Sequence, residues 1–213
     1  MLVQVPANIG FSVRQFLRAR RALLVHFNTP MSRHETGFPS DLRDAMSLKD
    51  TPACFSTIQV GDRGPGQVIG NWNQANAGGS VGLVVDVTEA SIVAVGPGDD
   101  GSDTRGSVIQ TGGKPPTAQS CAESIDKRVD PDGRKNDAAN EWLVKNYIIL
   151  GIFIFPNPHV WTRVGGDQPC SLLQVLQAFP QERVFGVDAS TFLELDKQSG
   201  AWRSATYDQI VPA

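Results

Sequence analysis

The sequence predicts an α+β fold in which a split, mostly antiparallel β-sheet is flanked by helices. Segments with the apolar pattern of strands outnumber segments with helical spacing, and the two kinds do not alternate regularly. The strand-like segments are short and are bounded by turns rich in glycine, proline and aspartate. Near the end of the chain, 191–196 and 201–206 flank a Lys-Gln-Ser-Gly turn, which is typical of an antiparallel hairpin.

Composition is that of an ordinary globular chain. The protein has 213 residues and a mass of 22.9 kDa, which is enough to bury a sizeable core, and we expect a single domain, 1–213. Hydrophobic residues make up 40% and charged residues 19%, which excludes wholesale disorder. The longest apolar stretch, 147–155, is far shorter than the roughly 20 residues of a membrane-spanning helix.

The first 60 residues are expected to form a helix, a strand, a helix and a strand. Apolar residues over 11–21 are spaced to share one helix face, and the apolar run 23–27 is typical of a buried strand. Residues 39–46 begin with Pro-Ser-Asp, an acidic first turn that suits the helix dipole. Residues 54–60 alternate as a strand does.

The middle of the chain supplies further strands and one long loop. The β-branched segments 81–87 and 91–95 are typical strands. Residues 96–116 are rich in Gly, Asp and Pro, and a loop of that length is usually functional or mobile. A helix is expected at 117–129, and the apolar run from 141 onwards, taken to be the central strand, begins at a glutamate.

After that run the pattern predicts a helix, a strand and the hairpin. Pro169 is expected at the start of a helix over 170–179, because proline is favoured at the first helical position. Residues 183–187 have the composition of a strand.

Cysteines and the start of the chain bear on compartment. Three cysteines, without CxxC or Cys/His spacing, favour a reducing, cytoplasmic location and no structural zinc, and no secretory signal is expected.

The first 34 residues carry arginines but no acidic residue. This set is either a solvated helix face or an anion-binding patch; it consists of Arg14, Arg18, Arg20, Arg21 and Arg33.

Three short strings contain the candidate functional residues. His26 lies within an apolar strand, Ser56 and Thr57 lie in the next strand, and Glu141 heads the late apolar run. A carboxylate at the edge of a buried strand can be held rigidly with one side dry, as catalysis requires. Each string also has an ordinary interpretation, as a core histidine, strand hydroxyls and an exposed strand-end glutamate.

In this order the strings resemble the ADP-ribosyltransferase superfamily, and Val25–Asn28 with Asn140–Val144 resembles its DarT-like toxin branch. The resemblance implies a split sheet that binds NAD in a cleft, with NAD as substrate and a nucleic acid or protein as acceptor. It implies that Glu141 is catalytic and stabilises an oxocarbenium-like transition state. Residue 139 is Ala rather than the Gln or Glu of the family's Q/E-x-E motif.

The same resemblance implies the NAD-contacting residues, and it requires the imidazole of His26 and the carboxylate of Glu141 to face one cleft. An arginine is expected on the pyrophosphate, because guanidinium matches phosphate oxygens in a bidentate fork. Arg43 is an alternative to the two arginines in this set. The NAD-binding residues are expected to be His26, Phe27, Asn28, Ser56, Thr57, Arg33 and Arg63.

A second class of function stays open from the sequence. In it, the arginine-rich start of the chain binds nucleic acid or an acidic protein, and Glu141 is structural. A metal-dependent hydrolase is disfavoured because the three histidines are scattered and the Asp-rich turns lack the register of a calcium loop.

Overall fold

The computed structural model describes residues 12–28, 37–61, 80–96, 117–126, 140–155 and 157–212. Within these ranges the fold is α+β, as predicted, with a large sheet, a small hairpin sheet and five α-helices. The strands are β1 (Leu23–Phe27), β2 (Ala53–Ile58), β3 (Val81–Asp86), β4 (Ile92–Gly96), β5 (Glu141–Val144), β6 (Ile148–Ile154), β7 (His159–Thr162), β8 (Gly166–Pro169), β9 (Val184–Val187), β10 (Phe192–Asp196) and β11 (Ala201–Ala205). The helices are α1 (Val13–Arg20), α2 (Ser40–Ser47), α3 (Ala118–Asp126), α4 (Leu172–Ala178) and α5 (Tyr207–Ile210).

The large sheet has nine strands in the order β11-β10-β9-β6-β3-β1-β2-β5-β4. All neighbours among the described strands run antiparallel except β6 and β9, so the mostly antiparallel prediction is confirmed. Strand β2 lies between β1 and β5: Ser56–Ile58 pair with β1 on one edge, and Ala53–Phe55 pair with β5 on the other.

One face of the sheet is covered by helices. The core on this side combines Phe16 and Leu17 of α1, Leu42 of α2, and strand residues such as Phe55 and Trp142. Because successive strand residues point to opposite faces, Leu24, Leu83 and Val85 belong to the same side. We call this side the helix-covered face.

The other face carries an aromatic core closed by the C-terminal helix. Val25 and Phe27 of β1 lie here with Phe153 of β6, and Tyr207 and Ile210 of α5 pack onto the same cluster. We call this side the aromatic face. Most apolar residues of β1, β3 and β6 therefore belong to one of these two cores, whereas Ile148 at the start of β6 is exposed.

The prediction that Glu141 heads the central strand is wrong. Strand β5 ends at Val144, and Asn146 adopts a left-handed conformation with φ of 53° at the turn that follows. The chain then enters β6, which is separated from β5 by β2, β1 and β3. Glu141 therefore lies near one edge of the sheet, beside β4.

Two C-terminal details also differ from the prediction. Pro169 ends strand β8 instead of opening a helix, and Ser171 caps α4 by accepting a hydrogen bond from the Gln174 amide. The sequence did not indicate the β7–β8 hairpin. Its strands are rich in polar residues and lack the alternation of apolar and polar side chains by which a strand is predicted. The other predicted strands and helices within the described ranges are confirmed, with boundaries that differ by at most three residues.

Candidate active site

Glu141 is the first residue of β5 and is buried, with 3% of its surface exposed. It pairs with Gly96 at the end of β4. The Cys54 thiol donates a hydrogen bond to its Oε1 atom at 2.7 Å. The carboxylate is thus held by side-chain contact at the junction of β2, β4 and β5.

Ser56 lies on the same face of the sheet as Glu141. It pairs with Val25, a member of the aromatic face, and it is two residues from Cys54, whose thiol contacts the carboxylate. Its hydroxyl donates to the Asn140 carbonyl at 2.9 Å, next to the Glu141 amide. Of the two predicted hydroxyl residues, the one on the carboxylate's face is therefore Ser56.

Thr57 points the other way, into a buried hydrogen-bond network. Its amide donates to Asn140 Oδ1 at 2.7 Å, and Asn140 Nδ2 donates to the Thr57 hydroxyl at 2.8 Å. Asn140 also donates to the Ser124 carbonyl at 3.0 Å, while Trp142 Nε1 donates to the Ser124 hydroxyl at 2.8 Å. This network joins β2, β5 and α3, so the side chain of Thr57 serves the fold and does not line the site with Glu141.

His26 and Glu141 leave the sheet from opposite faces. Val25 and Phe27 lie on the aromatic face, so the ring of His26 lies on the helix-covered face, with its centroid 5.4 Å from that of Phe55. Asn140 and Trp142 contact Ser124 on that helix-covered face, so the intervening Glu141 points to the aromatic face. The expectation of one cleft between the His26 ring and the Glu141 carboxylate is not met.

The described contact of His26 is with the backbone of Cys54. Its Nδ1 atom lies 2.7 Å from the Cys54 carbonyl oxygen. Because a carbonyl only accepts, Nδ1 carries the proton and donates. Cys54 is therefore held from two sides, with its carbonyl bonded to His26 and its thiol bonded to Glu141.

Phe27 and Asn28, the two other predicted NAD contacts in β1, belong to the core. Phe27 is 3% exposed and stacks on Phe155 with a centroid distance of 5.8 Å. The Asn28 amide donates to Asp41 at 3.2 Å, and its carbonyl oxygen accepts from the Trp161 amide at 2.9 Å. Phe27 is used for packing and the Asn28 side chain for hydrogen bonds within the fold, and their contact with NAD stays a prediction.

Arg33 and Arg63, the predicted pyrophosphate ligands, lie outside the described residues. The third candidate, Arg43, fastens α2 to the end of α4. Its Nη2 atom donates to the Ala178 carbonyl at 3.0 Å, and its guanidinium lies 5.9 Å from the centre of the Phe179 ring. Arg43 therefore has a structural contact in this fold.

The arginines of α1 are bound to acidic side chains of the same chain. Arg14 forms an ion pair with Asp86, and Arg18 forms one with Asp208. Arg20 holds both oxygens of Asp126 at 2.8 and 3.0 Å. These three side chains join α1 to β3, α5 and α3, which favours the structural interpretation of the basic segment over the anion-binding one.

The three cysteines all lie in the described part of the chain, and none is in a disulfide bond. Burial raises the pKa of Cys121 to about 12 and also raises the pKa of Cys170. A thiol becomes a strong nucleophile only as a thiolate, so these two are inert packing residues. Among the described residues no three His, Cys, Asp or Glu side chains are grouped so as to hold a metal ion.

A cavity of about 320 Å³ lies elsewhere, between the sheet and the start of α4. Its walls include Phe155, Leu172, Val187 and Trp202, and it contains none of the predicted site residues. No helix within the described ranges is long and apolar enough to cross a membrane.

Comparison of the chain with protein-family models, with curated proteins and with solved structures found no match.

Sequence reasoning missed Cys54 and Asn140, the two residues that contact the predicted site most directly. Cys54 is two positions before Ser56 in an alternating strand, so a shared face was available as a signal. Asn140 precedes Glu141, and a polar side chain at a buried strand end is a frequent mark of a hydrogen-bond network.

Proposed function

We propose that this protein is an NAD-dependent ADP-ribosyltransferase in which Glu141 is the catalytic carboxylate. The observation that carries the proposal is the setting of Glu141: a buried acid at the head of a strand, oriented by a neutral hydrogen-bond donor. Burial strengthens electrostatic interactions, because fewer water molecules screen the carboxylate. The order of the β1, β2 and β5 segments along the chain resembles that of the superfamily, but His26 and Glu141 do not face one cleft as the resemblance requires, so the proposal depends on Glu141 alone.

The reaction breaks the bond between the nicotinamide nitrogen and the ribose carbon of NAD. Nicotinamide leaves with the bonding electron pair, positive charge develops on the ribose, and the acceptor's nucleophilic atom bonds to that carbon and loses a proton. A fixed carboxylate stabilises the developing charge and hydrogen-bonds a ribose hydroxyl. Glu141 performs this role, and the acceptor is a nucleic acid or a protein.

Ser56 and His26 take different parts in the proposed site. Ser56 shapes the pocket from the carboxylate's own face of the sheet, where its hydroxyl is bonded to the Asn140 carbonyl. His26 acts from the opposite face through the Cys54 backbone and does not touch NAD.

Replacing Glu141 with Gln tests the proposal. The amide keeps the shape of the side chain but removes its negative charge, so we expect nicotinamide release from NAD to fall by about 100-fold or more. Released nicotinamide is measured by chromatography, with a nucleic acid or a protein extract as acceptor. Circular dichroism checks that the variant folds.

Glu182→Gln, which removes a glutamate just before β9, is the matched control and is expected to keep wild-type turnover. If the wild-type protein neither gains thermal stability with NAD nor releases nicotinamide with either acceptor, the proposed function is wrong. Turnover by Glu141→Gln at the wild-type rate would exclude Glu141 as the catalytic residue.

A further inference from the structure

We propose that Cys54 is the positioning residue for Glu141: its thiol orients the carboxylate, and His26 anchors the Cys54 backbone. The catalytic part of this inference rests on the proposed function, whereas the hydrogen bond itself can be tested without any activity. Cys54 lies in β2 opposite Leu143, and Glu141 is two residues earlier in β5 on the same face. The two side chains are therefore diagonal neighbours across adjacent strands, which is within reach for a direct contact.

The contact places a donor on one defined oxygen. The Cys54 Sγ atom is 2.7 Å from Glu141 Oε1, and a bond to one oxygen restricts rotation of the carboxylate about its last torsion. A preorganised carboxylate stabilises the positive charge that develops on the ribose carbon more effectively, because it does not have to reorient during the reaction.

A thiol suits this task because it is neutral. An arginine or lysine in contact with Oε1 would also orient the carboxylate, but its positive charge would offset the negative charge that stabilises the transition state. A thiol is a weak donor that leaves the carboxylate's charge in place.

The backbone of Cys54 pairs with Leu143 of β5 on one edge of β2, and on the β1 edge it is held by a side chain. The β1–β2 register runs from Leu23 opposite Ile58 to Val25 opposite Ser56. One residue beyond this register, His26 Nδ1 bonds the Cys54 carbonyl at 2.7 Å. The imidazole thus ties β2 to β1 where the strand register ends, and it fixes the position from which the thiol reaches Glu141.

The kinetic experiment compares Cys54→Ala, which removes the donor, with Cys54→Ser, which keeps one. We expect Cys54→Ala to lower kcat for nicotinamide release about 10-fold while KM for NAD changes less than about 2-fold. Cys54→Ser should recover most of kcat, since its hydroxyl also donates to a carboxylate. Cys170→Ser, whose Sγ is 3.6 Å from the Ser171 carbonyl, is the control and should leave kcat unchanged.

The anchoring role of His26 has its own pair of variants. Asn places an N–H donor near the position of Nδ1, so His26→Asn should retain kcat, whereas His26→Ala should lower kcat with KM for NAD unchanged. A rise in KM for NAD in His26→Ala, with kcat retained, would show that His26 contacts the substrate and would overturn the anchoring role.

An infrared measurement of the purified protein tests the hydrogen bond independently of turnover. The S–H stretching band of Cys54 is assigned by its loss in Cys54→Ala, and it should shift when Glu141→Gln replaces a charged acceptor with a weaker neutral one. A band that does not move in Glu141→Gln, or equal kcat in Cys54→Ala and wild type, overturns the inference. Absence of nicotinamide release by the wild type, together with a shifted band, would count against the proposed function alone.

Discussion

At the scale of single residues, the buried polar side chains of Asn140 and Glu141 make different kinds of contact. Asn140 and Glu141 are neighbours, yet they serve different sides of the sheet. Asn140 is 1% exposed and its amide bonds both Thr57 and Ser124. Glu141 bonds the thiol of Cys54 instead.

The first stability prediction concerns Asn140→Ala. The change leaves the buried amide of Thr57 without its acceptor and the Ser124 carbonyl without this donor, and each such loss costs about 1–3 kcal/mol. We expect the free energy of unfolding to fall by about 3 kcal/mol in urea denaturation. Gln198→Ala, at the exposed β10–β11 turn, is the control. A fall of less than about 1 kcal/mol in the free energy of unfolding would show that the hydrogen bonds of Asn140 contribute little to stability.

At the scale of elements, α1 is attached to the sheet by side chains from distant parts of the chain. Ser12 caps it locally by accepting from the Gln15 amide, and Glu89 Oε1 accepts from the Val13 amide at 2.8 Å. Glu89 belongs to a single turn of 3-10 helix, Glu89–Ser91, between β3 and β4. A carboxylate at a helix N-terminus also interacts favourably with the helix dipole.

The structure predicts a pH-dependent contribution of Glu89 to stability. Hydrogen bonds from its own backbone amide, from the Ser12 hydroxyl and from the Val13 amide, together with the charge of Arg14, outweigh partial burial and lower its pKa below the ordinary value of 4.5. The stabilisation is therefore fully present above about pH 4.5 and is lost as the pH falls through the lowered pKa of the folded state.

Unfolding of the wild type and of Glu89→Gln is measured from pH 7 down to about pH 3. The difference between their free energies of unfolding should be largest at neutral pH and should shrink in the acidic range. Glu182→Gln provides the comparison for a glutamate outside this contact. A difference that stays constant across the range would contradict the linkage.

At the scale of the whole molecule, one parallel pairing joins the C-terminal strands to the rest of the sheet. Strands β6 and β9 pair at Ile152 with Val184 and at Phe153 with Phe185. Beyond this junction lie β10 and β11, and the α5 helix returns to cover the aromatic face. The integrity of the nine-stranded sheet depends on the close approach of these two strands.

Gly151→Ala is expected to disturb this junction. A Cβ atom at this position would lie 2.5 Å from the Arg183 carbonyl oxygen and 2.7 Å from the Phe185 ring, so β6 and β9 must move apart. We expect a loss of about 2–4 kcal/mol in unfolding free energy and faster amide hydrogen exchange in β9–β11. At Gly186, in β9, the nearest atom to an added Cβ is 3.3 Å away, so Gly186→Ala should cost less. Equal effects of the two variants would contradict the argument.

The α+β class and most of the strands and helices could be predicted from the sequence, because hydrophobic spacing is a local property of the chain. The sequence also singled out Glu141 as an acid at the start of an apolar strand. It misjudged that strand's place in the sheet, because strand order depends on contacts between residues far apart in the chain.

Which candidate residues lie on the same face of the sheet could be read only from the fold. Alternation along β1 and β5 places His26 and Glu141 on opposite faces, and the relative register of two distant strands cannot be derived from either string alone. The same pairing brings Cys54 between them, with its carbonyl toward His26 and its thiol toward Glu141. The contact between the Cys54 thiol and the Glu141 carboxylate follows from the pairing of β2 with β5. Sequence order alone does not indicate it, because side-chain contacts depend on strand pairing.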